Sequence, residues 1–307
     1  MTGNFEEERM DTARNTPAIR FDSVIFATDF SWASENAGSY AAAFSRHFAT
    51  KLVVAHGFIL TQAALEVEVE RPLSSQLRID LFHELTRAAK SLQAGRGSTE
   101  TLLLDGDARK TVPILAHRRS PALVVMGTHG GGAIDRFILG STAEGILRNS
   151  SEPALTVGPK VNPLAASPLK IRRILYASDC TKEAAHGAVV AVALAESFSA
   201  ELDVLNVVRS SDSDGPETLT CLQESFRKSV EAIMPKSARQ VSEPQMFVST
   251  GEPQATILKH IDEREIDLLI LGLKRSKHFG SQSKTSGVFS IIVKARCPVL
   301  TVASGAL

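Results

Sequence analysis

The sequence predicts an α/β protein of two tandem doubly wound domains, each built on a five-stranded parallel sheet. Three observations lead there. Short runs of successive apolar residues, such as Leu123-Val124-Val125-Met126, alternate with helical stretches. Strands apolar on both faces belong to a parallel sheet covered by helices on both sides. The order of runs occurs twice, which marks an internal repeat. Finally, 307 residues suit two domains of about 150 each.

The repeat is read position by position. VIFATDFSWASENAGSYAAAFSRHFATKLVV, from Val24, matches ILYASDCTKEAAHGAVVAVALAESFSAELDV, from Ile174; Asp29 falls on Asp179 and Phe48 on Phe198, both 150 positions on. Later, Asp105-Gly106-Asp107 falls on Thr250-Gly251-Glu252, Gly127 on Gly272 and Pro153–Val157 on Pro298–Val302, each 145 on. The first copy therefore carries about five extra residues in its middle.

Taken in order, residues 1–19 are polar and aperiodic and read as a flexible tail. The first domain, 20–158, should hold strands near Val24–Thr28, Leu52–Gly57, Thr101–Leu104, Leu123–Gly127 and Ala154–Val157. Helices are expected at Ser34–Phe48, Ser74–Ala94, Ala108–Arg118 and Thr142–Arg148. Residues 159–170 form the linker, since Pro159, Pro163 and Pro168 exclude a helix interior or a central strand. The second domain, 171–304, repeats the order. In such a sheet, ligands lie beyond the carboxyl ends of the strands where the strand order switches.

Composition narrows the function. Lys plus Arg and Asp plus Glu balance at 34 each, which gives no reason to expect nucleic acid or an anionic membrane as partner. Cys180, Cys221 and Cys297 lack metal spacing and read as isolated reduced thiols. No apolar run reaches the roughly 18 residues that span a bilayer. The acidic start (Glu6-Glu7-Glu8) is unlike a signal peptide. A cytoplasmic protein is the expectation.

The chemistry concentrates in GTHGGGAIDRFILGST, Gly127 to Thr142, between an expected strand and an expected helix. Glycines there permit φ > 0 and close backbone approach. Ser141 and Thr142 sit where a helix start presents hydroxyls and N–H groups to an anion. No Walker string occurs, and Asp135 stands where a Rossmann loop needs its third glycine. A glycine-rich corner that binds nothing is the plainer reading of the same residues.

The spacing Gly127-x2-Gly130-x9-Gly140-Ser141, with Asp29 closing the first strand, resembles the ATP-binding pattern of the universal stress protein family. The resemblance implies that family's fold, one shared with adenine-nucleotide α-hydrolase-like proteins. It implies ATP, with Mg held at Asp29, as cofactor, and Thr28, Asp29, Gly57, Gly127, Gly130, Gly140, Ser141 and Thr142 as binding residues. It also implies an intramolecular pseudo-dimer of the two domains through their last strands, with a further homodimer left open. Asp29 reads equally as a turn or capping residue, His56 as a packed strand-end residue, and His129 and Arg136 as solvent-facing loop residues. In the second copy Gly130 becomes Arg275 and Gly140 becomes Thr285. One nucleotide, in the first half, is expected. A binding module for stress response with at most slow hydrolysis leads. A weak ATPase or nucleotidyl-transfer enzyme at the same site and a scaffold that binds no nucleotide stand beside it.

Overall fold

A computed structural model of the chain describes residues 19–59, 71–92, 98–129, 138–164, 169–179, 185–208, 244–273 and 285–303, together with helical positions 220, 224, 227–228 and 231. The first copy contributes strands β1 (Ser23–Ala27), β2 (Lys51–Phe58), β3 (Thr99–Asp105), β4 (Ala122–Gly127) and β5 (Ala154–Val157). Between them run α1 (Trp32–His47), α2 (Arg71–Leu92), α3 (Ala108–Arg118) and α4 (Ser141–Asn149). The second copy supplies β6 (Arg173–Ala177), α5 (Ala185–Phe198), β7 (Glu201–Val208), β8 (Gln245–Thr250), α6 (Pro253–Glu263), β9 (Leu268–Leu273), α7 (Thr285–Lys294) and β10 (Val299–Ala303). The helix expected between β7 and β8 falls mostly outside the described residues.

All ten strands share one sheet, ordered β3-β2-β1-β4-β5-β10-β9-β6-β7-β8. Within each copy the pairing is parallel; β1 takes β2 on one side and β4 on the other, Val24 lying level with both Leu52 and Leu123. The change of repeat offset falls between β2 and β3: Val53 pairs with Glu100 and Asp203 with Gln245. The turn after the third strand is the same in both copies. Gly106 (φ 117°) and Gly251 (φ 143°) take the left-handed backbone that glycine tolerates, and their N–H groups reach Phe58 O and Val208 O.

Alternation along each strand sends side chains to opposite faces. Val24, Phe26, Leu52 and Val54 pack with Phe44 of α1 and Leu85 of α2, while Ile25, Val53, Val124 and Met126 pack with Val112 of α3 and Ile146 of α4. All are buried, as continuous apolar runs require. Among the described residues no helix is long and apolar enough to cross a membrane.

The copies join where β5 meets β10, antiparallel, with Leu155 opposite Leu300. Both are buried. The buried hydroxyl of Thr156 donates to Val299 O (3.0 Å) and that of Thr301 to Ala154 O (3.1 Å), a matched pair of bonds across the seam. The ends of α1 and α5 also meet: His47 stacks on Phe198 at 3.9 Å and shares a hydrogen bond with Ser197 Oγ. Burial holds the His47 imidazole below its usual range.

A buried charge in the second copy has no equivalent in the first. Asp203 in β7 occupies the place of Val53 in β2 and is fully buried. It pairs with His260 Nε2 (3.2 Å) and accepts from Arg264 Nε (3.0 Å) and Nη2 (3.3 Å). Burial pushes its carboxyl up, but the hydrogen bonds from His260 and Arg264 outweigh that and hold it below the usual range. A folded carboxyl below its unfolded value, about 3.9, adds stability above that value and loses it as pH falls through the folded value. Asp203→Asn should therefore cost about 1.5–3 kcal/mol at pH 7. The gap from wild type should narrow as pH falls through the lowered folded value of Asp203, read by urea unfolding at each pH. In a separate test, Cys297 is fully buried and its thiol is pushed up to about 12. It should resist a thiol-alkylating reagent at pH 8 in native protein and react only after unfolding, as peptide mapping would show.

Candidate functional site

The loops after β1, β2 and β4 and the first turn of α4 line a cavity of about 790 Å³. Thr28, Asp29, Gly57, Gly127, Gly140, Ser141 and Thr142 all line it. Gly130, the eighth residue singled out by sequence, lies outside the described residues, as does Arg136.

The β1 corner is built from side-chain bonds. Thr28 is buried and shares a hydrogen bond with Ser34 Oγ (2.7 Å), and its own hydroxyl accepts from Phe30 N. Asp29 Oδ1 accepts from Ser31 N (3.1 Å) and Ser31 Oγ (2.6 Å), an Asx-type turn. Ser31 then caps α1 by accepting from Ser34 N. Asp29 thus fills the turn role while remaining exposed at the cavity wall. Phe30 takes φ 62°, rare for a bulky residue, and its ring lies 4.5 Å from that of His56.

His56 Nδ1 donates to Thr28 O at 2.8 Å, since a carbonyl can only accept. In the second copy Asn206 Nδ2 makes the same bond to Ser178 O, also at 2.8 Å. His56 is thus a packed strand-end residue. Gly57 lines the cavity and is also tightly packed. A Cβ there would lie 2.8 Å from Ala108 Cα, so the missing side chain admits the start of α3. Gly127 is similar, a Cβ meeting Ala33 O at 3.1 Å.

The glycine-rich loop is pinned at its base. Gly140 N donates to Thr128 O (2.8 Å), and Thr128 N to Val157 O. His129 is not a solvent-facing residue: it is buried, bonded through Nδ1 to Thr128 Oγ1, and lines the cavity. Gly140 precedes α4 with φ −61° and offers no capping side chain. Its value here is thus an uncapped helix start rather than a left-handed turn. The first-turn amides of α4 are left to whatever the cavity holds.

Sequence reasoning missed the third wall. Asp107 caps α3, accepting from Arg109 N (2.9 Å) and Arg109 Nε (2.7 Å), and lines the cavity. The Arg109 hydrogen bond holds its carboxyl below the usual range. Glu144 lines the cavity as well and accepts from Arg148 Nε at 2.7 Å. The Gly106-Asp107 pair before a helical run was the available signal, since Asp after a turn glycine commonly caps. Starts of α1, α3 and α4 converge on the cavity, each contributing a partial positive charge. Among its described lining residues are three carboxylates, Asp29, Asp107 and Glu144, and no Lys or Arg.

In the second copy Asp179 follows β6 and Gly272 lies in β9, but residues 274–284, including Arg275, lie outside the described residues.

Comparison with known proteins is consistent with this architecture. A universal stress protein from Archaeoglobus fulgidus superposes over 94% of this chain and 100% of its own, with TM-score 0.69 and 19% identity. The functionally unknown protein PA1789 from Pseudomonas aeruginosa superposes over 93% of each chain with TM-score 0.58 and 15% identity; both likenesses concern fold. In sequence, universal stress protein MJ0577 of Methanocaldococcus jannaschii is 21% identical over 159 residues, covering 47% of this chain and 98% of its own. The model of the universal stress protein family matches residues 20–158 and again 170–303, and the chain therefore belongs to that family, as a tandem two-domain member.

Proposed function

We propose that the first copy binds an adenine nucleotide, ATP with magnesium, and that the chain serves as a cytoplasmic stress-response module whose occupancy is the signal. The observation that carries this is the convergence of Thr28, Asp29, Gly127, Gly140, Ser141 and Thr142 on one cavity beside three helix starts. The fit to a nucleotide is physical. The volume suits a ligand of that size, and the uncapped start of α4 suits phosphate. Among the described residues no group of three or more His, Cys, Asp or Glu could hold a metal. Magnesium would therefore take Asp29 and complete its shell with phosphate oxygens and water. Bound there, it would neutralise phosphate charge.

We read residues 1–19 as a tail, 20–158 as the nucleotide-binding domain, 159–170 as the linker and 171–304 as the degenerate domain. The β5–β10 seam supports reading the pair as an intramolecular pseudo-dimer. The lost loop glycines, Arg275 and Thr285, support a silent second site, because a long side chain at Arg275 disfavours backbone contact with phosphate.

Thermal unfolding with and without ATP–Mg tests the reading. At 100 times its Kd the ligand should add about 2.7 kcal/mol. Ser141→Asp should leave the apo protein at least as stable, because an acid suits a helix start, yet abolish the ATP shift by repelling phosphate. Asp29→Ala should reduce the shift and its magnesium dependence. No shift with ATP, ADP or AMP, with or without magnesium, would overturn the reading. Steady phosphate release that Asp29→Ala abolishes would instead favour an enzyme.

A further inference from the structure

We infer that Arg109 is the residue by which this site tells a polyphosphate from a monophosphate, its guanidinium passing from Asp107 to the ligand's terminal phosphates. The inference rests on the nucleotide reading above and adds a selectivity to it.

The starting point is a charge deficit. The described lining holds three carboxylates and no Lys or Arg, and a helix start offers only about half a charge. Even with magnesium at Asp29, a triphosphate keeps net negative charge that a neighbouring side-chain cation would offset. Among the described residues, Arg109 is the cation best placed. It stands in the first turn of α3, half exposed, and is bound to a carboxylate that itself lines the cavity. Its planar fork matches phosphate oxygens as well as carboxylate. Asp107 keeps its capping bond from Arg109 N if the guanidinium leaves.

A second observation concerns the stem. A Cβ on Gly145 would lie 2.5 Å from Arg109 Cγ and 2.7 Å from Cδ. The arginine therefore crosses α4 in a seat that only glycine provides, about one turn beyond Ser141. The third comes from the repeat. Arg109 falls on Gln254 and Gly145 on Ser290, so the copy that lost the loop glycines also lacks both the arginine and its seat. Arg148, the other arginine paired to a lining carboxylate, lies over the Phe289 ring at 5.1 Å on the other copy. That contact holds it at the seam.

Calorimetric titration of the full chain with ATP, ADP and AMP, each with excess magnesium, tests this. Arg109→Gln should weaken ATP binding about tenfold or more while changing AMP binding less than about twofold. Gly145→Ala keeps the charge but fills the seat, and should produce the same selective loss. Lys110→Gln removes a neighbouring charge and should spare the ATP-to-AMP ratio. If wild type binds both nucleotides and Arg109→Gln keeps their ratio, or Lys110→Gln lowers it equally, Arg109 loses this role and the nucleotide reading stands. If wild type binds none of the three, both fall together.

Discussion

The site depends on β1 lying between β2 and β4. Chain order runs outward from β1 to β3 and then returns to the other side of β1, so neighbouring connections leave in opposite directions and a crevice opens at the strand ends. Parallel pairing of Val24 with both Leu52 and Leu123 sets where the three strands end relative to one another. It also aims three helices so that their starts meet there. The glycines on the walls serve this geometry first. Gly57 admits α3 and Gly127 admits α1, and packing so close brings the helix starts to one cavity.

The duplication shows which interactions are structural. The bond from His56 to Thr28 O recurs as Asn206 to Ser178 O, and the left-handed glycine after the third strand recurs as Gly106 and Gly251. These hold the scaffold in both halves and need no ligand. What differs is the polar inventory. Copy one pairs Arg119 with Glu100 at its lower edge, whereas copy two turns Arg264 toward the buried Asp203 and Gln245. The Gly145 seat for Arg109 has no counterpart. Buried Asp203 is reached by three donor atoms, as a buried charge is tolerated only when paired.

Much of this was legible beforehand. The repeat, the strand positions and the glycine loop follow from apolar runs and fixed offsets, which are local properties of the chain. Most residues of the cavity's β1 and β4 walls were legible as a pattern, but their packing roles were not. Asp29 looked like a ligand and also closes a turn on Ser31; Gly57 looked like room for a ligand and also makes room for Ala108; His129 looked solvated and is buried. Asp107 escaped notice because nothing local distinguishes a helix cap at a cavity wall from one facing water.

By itself the sequence determined the secondary structure and its duplication, because hydrophobic periodicity and glycine and proline positions act over a few residues. It also showed which half keeps the loop glycines. Tertiary structure alone decided the antiparallel register of β5 against β10, that three helix starts share a cavity, and that Arg109 lies in the groove left by Gly145. Those facts join residues tens of positions apart, and only packing of the whole sheet fixes such distances.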